Sequence, residues 1–187
     1  MTTEAKLKKA LRDAMSDKPL SEINVTKLCE TCKIHRQTFY YHYQDIYDLL
    51  TAIFLSEEIK GLDTAKTVDE ALLAVLKYYK ENFVFLRSAY GSSASEFVDD
   101  FIYGKIMMKI FSVFLATDKY KLSKEENRTL ARRYGRFVSQ EYSHWLKNTL
   151  VSPIRFEKTM KHFIAASNKN VLPGLIKAIY EERTKKA

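Results

Sequence analysis

Apolar residues recur at helical spacing along the chain, and few residues interrupt the pattern. Leu7, Leu11 and Met15 mark one face of a first helix, and the same period returns in the later segments. The 187 residues include only three Pro and five Gly, and no segment of any length alternates apolar and polar residues as a strand would. The sequence therefore predicts an all-α protein.

Capping and breaking residues divide this pattern into helices. Asn24 and Asp45 are suitable N-cap residues for the second and fourth helices. Later helices are predicted from the capping boxes at Thr67–Glu70 and Ser123–Glu126. The first runs through Phe83 until Gly91 breaks it, the second runs to about Leu150, and another lies between them from Ser95 to Ala116. Pro153 begins the next helix, and Asn168 to Asn170 are predicted to separate it from a last helix ending near Arg183.

These helices fall into two predicted domains. We expect a small N-terminal three-helix domain at residues 1–50, followed by a linking helix at residues 45–61 that ends at Gly61. Residues 62–187 are predicted to form a larger helical bundle.

The composition bounds the class of protein. No apolar run approaches the roughly 18 residues that a membrane span needs, and the N-terminus lacks an apolar signal stretch. Two Cys without a secretory signal predict a reduced, cytoplasmic protein. We find no phosphate-binding Gly-rich loop, no nucleophile elbow and no catalytic spacing of Ser, His and Asp. The sequence therefore predicts a protein that is not an enzyme and that has no catalytic residues, cofactor or metal.

The net charge of +8 is unevenly distributed. Residues 1–60 carry nine Lys/Arg against nine Asp/Glu, whereas the remaining 127 residues carry 22 against 14. Charge alone would therefore not identify a nucleic-acid partner for the N-terminal domain.

The segment from Ile34 to Tyr43 is the most informative in the chain. On a helix, its polar and aromatic hydroxyl residues share one face: Arg36, Gln37, Tyr40 and Tyr41. Phe39 and Tyr43 point the other way, towards a core. An ordinary amphipathic helix with a polar face is the alternative interpretation.

A short helix, a tight turn and a second helix with exposed donors form a helix-turn-helix arrangement. Arg can bond guanine and Gln can bond adenine in the major groove, while Tyr and His side chains suit phosphate contacts. The residues predicted to contact DNA are Thr26, Lys27, His35, Arg36, Gln37, Thr38, Tyr40, Tyr41 and His42.

Residues 25–50 resemble the N-terminal signature of the tetracycline-repressor (TetR) family. The matching positions are Leu28, Glu30, Ile34, Thr38, Phe39, Tyr40, His42, Tyr43, Leu49 and Leu50. The resemblance implies a homodimeric transcription regulator that binds an inverted-repeat operator in double-stranded DNA. The chain departs from the family at Lys33, where Gly is usual, at His35, where Ser is usual, and at Ile46, where Lys is frequent.

Residues 134–148 resemble the C-terminal domain of a subgroup associated with dihydroxyacetone kinase operons. That resemblance implies activation together with a co-regulator protein. The alternative is a repressor released by a small molecule that binds a pocket among the aromatic residues of the second domain, although core packing is the more frequent role of such residues. A protein-interaction module is the rival from another class.

The family places its dimer interface near the C-terminus, and the resemblance implies the same here. The residues predicted to take part are Tyr134, Phe137, Val138, Trp145, Phe163 and Ile176. Gly135, in the middle of its helix, is predicted to let a partner helix approach closely.

Cys29 and Cys32 form a Cys-x-x-Cys pair with His35 three residues later. A structural zinc site needs four ligands, and no second Cys pair accompanies this one. We therefore expect small buried side chains between helices, with a metal or redox site as the alternative.

Overall fold

The computed structural model describes residues 1–148 and 151–185, and every regular element in these ranges is helical. The helices are α1 (Thr3–Asp17), α2 (Val25–Cys32), α3 (Arg36–His42), α4 (Ile46–Leu55), α5 (Val68–Glu81), α6 (Phe83–Tyr90), α7 (Ser95–Thr117), α8 (Lys124–Lys147), α9 (Pro153–Ala166) and α10 (Leu172–Thr184). A 3₁₀ turn at Leu20–Glu22 follows α1, and a π-helical turn at Ser167–Val171 joins α9 to α10. The predicted all-α fold class is confirmed. Within the described ranges, no helix has the length and apolar character needed to cross a membrane.

The chain folds into two compact units that differ from the predicted domains. The first unit combines Met1–Glu58 with Asn82–Phe101, and the second combines Ile59–Glu81 with the chain from Ile102 onward. Helix α6 thus belongs with the N-terminal helices, although it lies inside the segment 62–187 predicted as the second domain. The functional division at residue 61 remains a prediction.

The contacts of α6 explain its place in the first unit. Phe85 of α6 packs against Phe54 of α4 with 5.5 Å between ring centroids. The Arg12 guanidinium of α1 lies 4.3 Å from the centroid of the Phe85 ring and donates to the side-chain oxygen of Asn82 at 2.8 Å. Arg12 also pairs with Glu57. These long-range contacts have no periodic signal in the sequence.

Aromatic residues form much of the core of the second unit. The Tyr79 ring lies 4.8 Å from that of Tyr142 and 5.8 Å from that of Phe156, and all three side chains are completely buried. The Tyr142 hydroxyl donates to the Leu72 carbonyl at 2.8 Å, which satisfies this buried polar group. These aromatic side chains pack in the core and do not line a ligand pocket.

Gly135 permits a close helix approach, but the neighbour is α7 of the same chain. A Cβ atom at Gly135 would lie 3.3 Å from the Met107 Cα atom. The prediction that Gly135 faces a partner's helix is therefore wrong, because the space is taken by α7.

Three predicted caps are confirmed, and the limit of the linking helix is corrected. The Asn24, Asp45 and Ser123 side chains each accept a backbone hydrogen bond, and Ser123 with Glu126 forms a complete capping box. The linking helix ends at Leu55 instead of Gly61. The Ser56 hydroxyl donates to the Ala52 carbonyl at 2.9 Å, a local bond that competes with continuation of the helix.

The later limits also differ in detail. The single helix predicted to run through Phe83 to Gly91 is two helices, because α5 ends at Glu81 and α6 begins at Phe83 after Asn82. The break predicted at Asn168 to Asn170 is absent from the described chain, because a π-helical turn carries α9 directly into α10. Helix α8 ends at Lys147, and the predicted end at Leu150 lies outside the described residues.

Candidate DNA-binding surface

The first turn of α2 is exposed and well capped. The Asn24 side-chain oxygen accepts a hydrogen bond from the Lys27 backbone N–H at 2.9 Å. Thr26 and Lys27 are both exposed, as phosphate contacts require. Lys27 also lines a groove between α1 and α2 that contains Asp17 and Glu22, so its surroundings are partly acidic.

The turn between α2 and α3 has the geometry of a Schellman cap. The Ile34 N–H donates to the Cys29 carbonyl at 3.0 Å, and the Lys33 N–H donates to the Glu30 carbonyl at 3.1 Å. Lys33 adopts the left-handed conformation (φ 54°, ψ 49°), which glycine accepts most easily. The non-Gly residue expected in this turn is thus accommodated. The Lys33 side chain is exposed beside α3, where its ammonium group could contact a phosphate, although Lys33 is not among the residues predicted to contact DNA.

Helix α3 has the two faces that its period predicts. Phe39 is fully buried and Tyr43 is 7% exposed, with 5.9 Å between their ring centroids. Tyr41 is 85% exposed and Tyr40 is 49% exposed. His35, Arg36 and Gln37 are also exposed, whereas Thr38 is half-buried. The buried face fixes the helix in the first unit, and the other face presents hydrogen-bond donors to solvent.

Arg36 and Tyr40 interact one helical turn apart. The Arg36 guanidinium donates to the Tyr40 hydroxyl at 3.2 Å, and its central carbon lies 5.8 Å from the ring centroid. This hydrogen bond raises the pKa of Arg36 above its usual value. The guanidinium keeps other N–H groups available for a base edge, with or without this exposed contact.

His42 is placed differently from the rest of the predicted set. Its side chain is half-buried, and Nδ1 lies 3.3 Å from the Glu4 carboxylate of α1. Nearby, burial and the negative charges of Glu4 and Asp48 raise the pKa of Tyr43. The structure therefore joins His35, Arg36, Gln37, Tyr40 and Tyr41 on one exposed surface, with His42 turned towards α1.

Cys29 is buried between helices and Cys32 is half-buried, and both are free thiols. Burial raises the pKa of each thiol, so both are protonated near neutral pH. Among the residues that the structure describes, no three or more His, Cys, Asp or Glu side chains are grouped to hold a metal ion. Cys29 has the packing role expected of it.

The residues predicted for dimerisation separate into two groups. Tyr134 and Val138 are completely buried in the second unit and Ile176 is 8% exposed, so these three side chains pack in the protomer's own core instead of on a surface. Phe137 is 39% exposed, and Phe163 and Trp145 are half-buried. The Phe137 and Phe163 rings pack with 5.4 Å between centroids. An apolar surface on α8 and α9 thus remains open on the protomer.

Comparison with known proteins agrees with this architecture. The dihydroxyacetone kinase operon activator DhaS has a solved structure that superposes with a TM-score of 0.66 at 22% identity, over 89% of this chain and 96% of that one. The TetR-family repressor AlkX of Dietzia sp. strain DQ12-45-1b gives a TM-score of 0.56 at 11% identity, over 92% and 97%. The chain has the TetR-type fold. No protein-family model matches it.

A sequence relative agrees with the structural comparison. The HTH-type dhaKLM operon transcriptional activator DhaS of Lactococcus lactis subsp. lactis (strain IL1403) is 32% identical over 91 residues. The match covers 47% of this chain and 49% of the relative, so it spans about half of each protein. The predicted resemblances to the TetR family and to a regulator of a dihydroxyacetone kinase operon are confirmed. These relatives are regulators of transcription, in line with the prediction of a protein that is not an enzyme.

Proposed function

We propose that this chain is a sequence-specific DNA-binding regulator of transcription that reads its operator with α3. The observation that supports this most is the exposed face of α3, where Arg36 and Gln37 lie beside Tyr40 on a helix fixed by the buried Phe39. Arg donates two hydrogen bonds to guanine, whereas Gln donates one to adenine and accepts one from it, so the two side chains distinguish these bases in the major groove. A cytoplasmic location follows from this proposal, since the operator lies on the chromosome.

The proposed complex is a homodimer on an inverted repeat. The exposed apolar surface formed by Phe137, Trp145 and Phe163 supports self-association through α8 and α9. Two copies related by a two-fold axis would present two α3 helices to successive major grooves. The centres of the two half-sites would then lie about one helical turn apart, or a multiple of it.

We also propose which genes the chain regulates and whether it activates or represses them. Similarity to DhaS, whose name describes an activator of the dhaKLM operon, supports control of a dihydroxyacetone kinase operon. We propose activation with a co-regulator protein as the first candidate. A repressor released by a small molecule is the second, and a cavity of about 250 Å³ in the second unit, lined in part by Phe114 and Leu172, favours it.

In vitro selection from random DNA duplexes tests the core of this proposal. The protein should enrich an inverted repeat, and hydroxyl-radical footprints should show two protected half-sites on one side of the duplex. Enrichment of no sequence, or of a single half-site without symmetry, would contradict it. In vitro transcription from the chain's own operator would then separate activation from repression.

A variant of the dimer surface tests self-association separately. Phe137→Glu places a charge on the exposed apolar surface and should shift the protein from dimer to monomer in analytical ultracentrifugation. Ile154, an 81% exposed apolar residue of α9, provides the matched control as Ile154→Glu, which should leave the dimer intact. Equal behaviour of the two variants would contradict this choice of interface.

A further inference from the structure

A cavity in the second unit lies where three segments meet. Its volume is about 250 Å³, and it is bounded by the start of α5, the end of α7 with the following turn, and the π-helical turn before α10. This volume is below the roughly 300–1,000 Å³ typical of pockets for drug-sized ligands. A ligand here would contain only a few non-hydrogen atoms.

The polar groups at the cavity include both cations and a hydrogen-bond acceptor. Lys66 and Lys119 both line it. Within the described residues neither ammonium group has an ion-pair partner, although that of Lys119 lies 5.4 Å from the centroid of the Tyr120 ring. On another side lies Asp69, whose carboxylate accepts a hydrogen bond from the Asn168 side-chain amide at 2.7 Å. Since a carboxylate oxygen accepts more than one hydrogen bond, Asp69 retains capacity for a ligand donor.

The apolar part of the lining is small and buried. Phe114 is 2% exposed and Leu172 is 5% exposed, and both contribute to the cavity. Together with Val113 they offer contact for a short carbon chain. The cavity thus combines two positive charges with one negative charge, that of the Asp69 carboxylate, and an apolar wall.

Hydrogen bonds and the surrounding packing fix the segments that form the cavity walls. The Asn168 side-chain oxygen accepts a hydrogen bond from the buried Tyr134 hydroxyl, which also lies 3.1 Å from the Ser167 hydroxyl. Asp118 and Lys121 flank the Lys119 turn with positive φ angles of 41° and 46°. Non-Gly residues adopt this strained conformation where surrounding contacts enforce it.

Helix α10 supplies those contacts. The Tyr180 hydroxyl donates to the Tyr120 carbonyl, and Arg183 donates to the Lys121 carbonyl at 3.2 Å. Arg183 also pairs with Glu126 at 2.6 Å. The turn that carries Lys119 is therefore fixed before any ligand arrives, which reduces the entropic cost of binding.

We propose that this cavity binds a small anion that also carries a hydroxyl or amino group. Lys66 and Lys119 would bind its carboxylate or phosphate group, Asp69 would accept a hydrogen bond from its hydroxyl or amino group, and Phe114 with Leu172 would contact its carbon atoms. This site is separate from the DNA-binding surface, which lies in the first unit.

Three probes of equal carbon number test the assignment. Lactate has the charge and the hydroxyl, propionate has the charge alone, and propane-1,2-diol has hydroxyls alone. Each is titrated at constant ionic strength into protein with ¹³C-labelled methyl groups, and the methyl resonances of Val113 and Leu172 report binding. We expect lactate to shift these resonances at the lowest concentration, propionate at a higher one and the diol at the highest.

Variants assign the individual roles. Lys66→Ala/Lys119→Ala should weaken lactate binding at least tenfold, whereas the control Lys158→Ala/Lys177→Ala removes two exposed lysines elsewhere in the unit and should change it little. Asp69→Asn keeps an acceptor for Asn168 and should abolish the preference for lactate over propionate.

Absence of shifts with lactate would overturn the site, as would equal weakening by both double-lysine variants. Equal affinities of the wild-type protein for lactate and propionate would overturn the role of Asp69. The titration contains no DNA, so its failure is distinguishable from failure of the proposed function.

Discussion

Tyrosines serve opposite purposes in the two units. In the second unit, Tyr79, Tyr134 and Tyr142 are completely buried, and the Tyr142 hydroxyl is bonded to the Leu72 carbonyl. In the first unit, Tyr40 and Tyr41 of α3 stand 49% and 85% exposed. A buried tyrosine stabilises the fold through its ring, whereas an exposed pair contributes almost nothing to folding.

The difference supports the proposal that α3 carries the DNA-binding surface. Because residues 1–60 have equal numbers of acidic and basic residues, bulk charge provides little attraction to DNA. Exposed aromatic hydroxyls beside Arg36 and Gln37 are therefore the informative feature. Affinity and specificity should depend on these few contacts. Substitutions in the two units should therefore differ in their effects on stability and on DNA affinity.

The largest expected difference is in stability. Tyr142→Ala should lower the free energy of unfolding by about 3–5 kcal/mol, because it leaves a cavity and an unpaired Leu72 carbonyl. Tyr41→Ala should change it by less than about 0.5 kcal/mol. Urea unfolding followed by circular dichroism at equal protein concentrations measures both. Similar losses in the two variants would remove the distinction between the regions.

DNA affinity should fall in variants of the exposed face of α3 and stay unchanged in a conservative variant of the second unit's core. Arg36→Ala and Gln37→Ala should each weaken operator binding by about 1–3 kcal/mol, since each removes a bidentate base contact, and neither should alter stability. Fluorescence anisotropy with the selected operator gives the affinities, and Tyr142→Phe is a control that should bind DNA normally once folded. Unchanged binding by both α3 variants would argue against α3 as the reading helix.

The next effect is confined to alkaline pH. Burial raises the pKa of Tyr134 to about 12, from an ordinary value of 10. The folded state therefore favours the protonated phenol, and the resulting stability is present below pH 10 and lost between about pH 10 and 12. Tyr134→Phe should lose less stability than the wild-type protein over this range, measured by urea unfolding. An identical pH profile would contradict the buried assignment of Tyr134.

The smallest effect concerns the turn before α3. Lys33→Gly relieves the left-handed conformation and should stabilise the protein by up to about 1 kcal/mol. The same change removes an exposed ammonium beside α3, so DNA affinity at low salt should fall slightly. Lys33→Ala separates the two effects, because it removes the charge and keeps the strain. Destabilisation by Lys33→Gly would contradict the conformation described for the turn.

Local chemistry made much of the first unit predictable. The caps at Asn24 and Asp45, the two faces of α3 and the buried Phe39 all follow from short-range spacing. Even the unusual backbone at Lys33 was accessible, because the family resemblance indicated that a non-Gly residue occupies a glycine position.

Tertiary contacts determine the unit to which α6 belongs and the face of α8 that is buried, and neither follows from the apolar period. Helix α6 joins the first unit through Arg12 and Phe85, a pairing without periodic signal. The apolar period of α8 shows that Val138 and Phe137 are apolar neighbours, but not which of them faces the protomer's own core. Burial assigns Val138 to the core and leaves Phe137 exposed on the protomer surface.

The central claim is that Arg36 reads sequence while Tyr40 holds the backbone of DNA. The direct test is the ratio of affinities for the selected operator and a scrambled duplex, measured for the wild-type protein, Arg36→Ala and Tyr40→Phe at one salt concentration. We expect the ratio to fall about tenfold or more in Arg36→Ala. In Tyr40→Phe both affinities should fall together and leave the ratio unchanged. A ratio unchanged in Arg36→Ala, or one lost in Tyr40→Phe, would contradict the account.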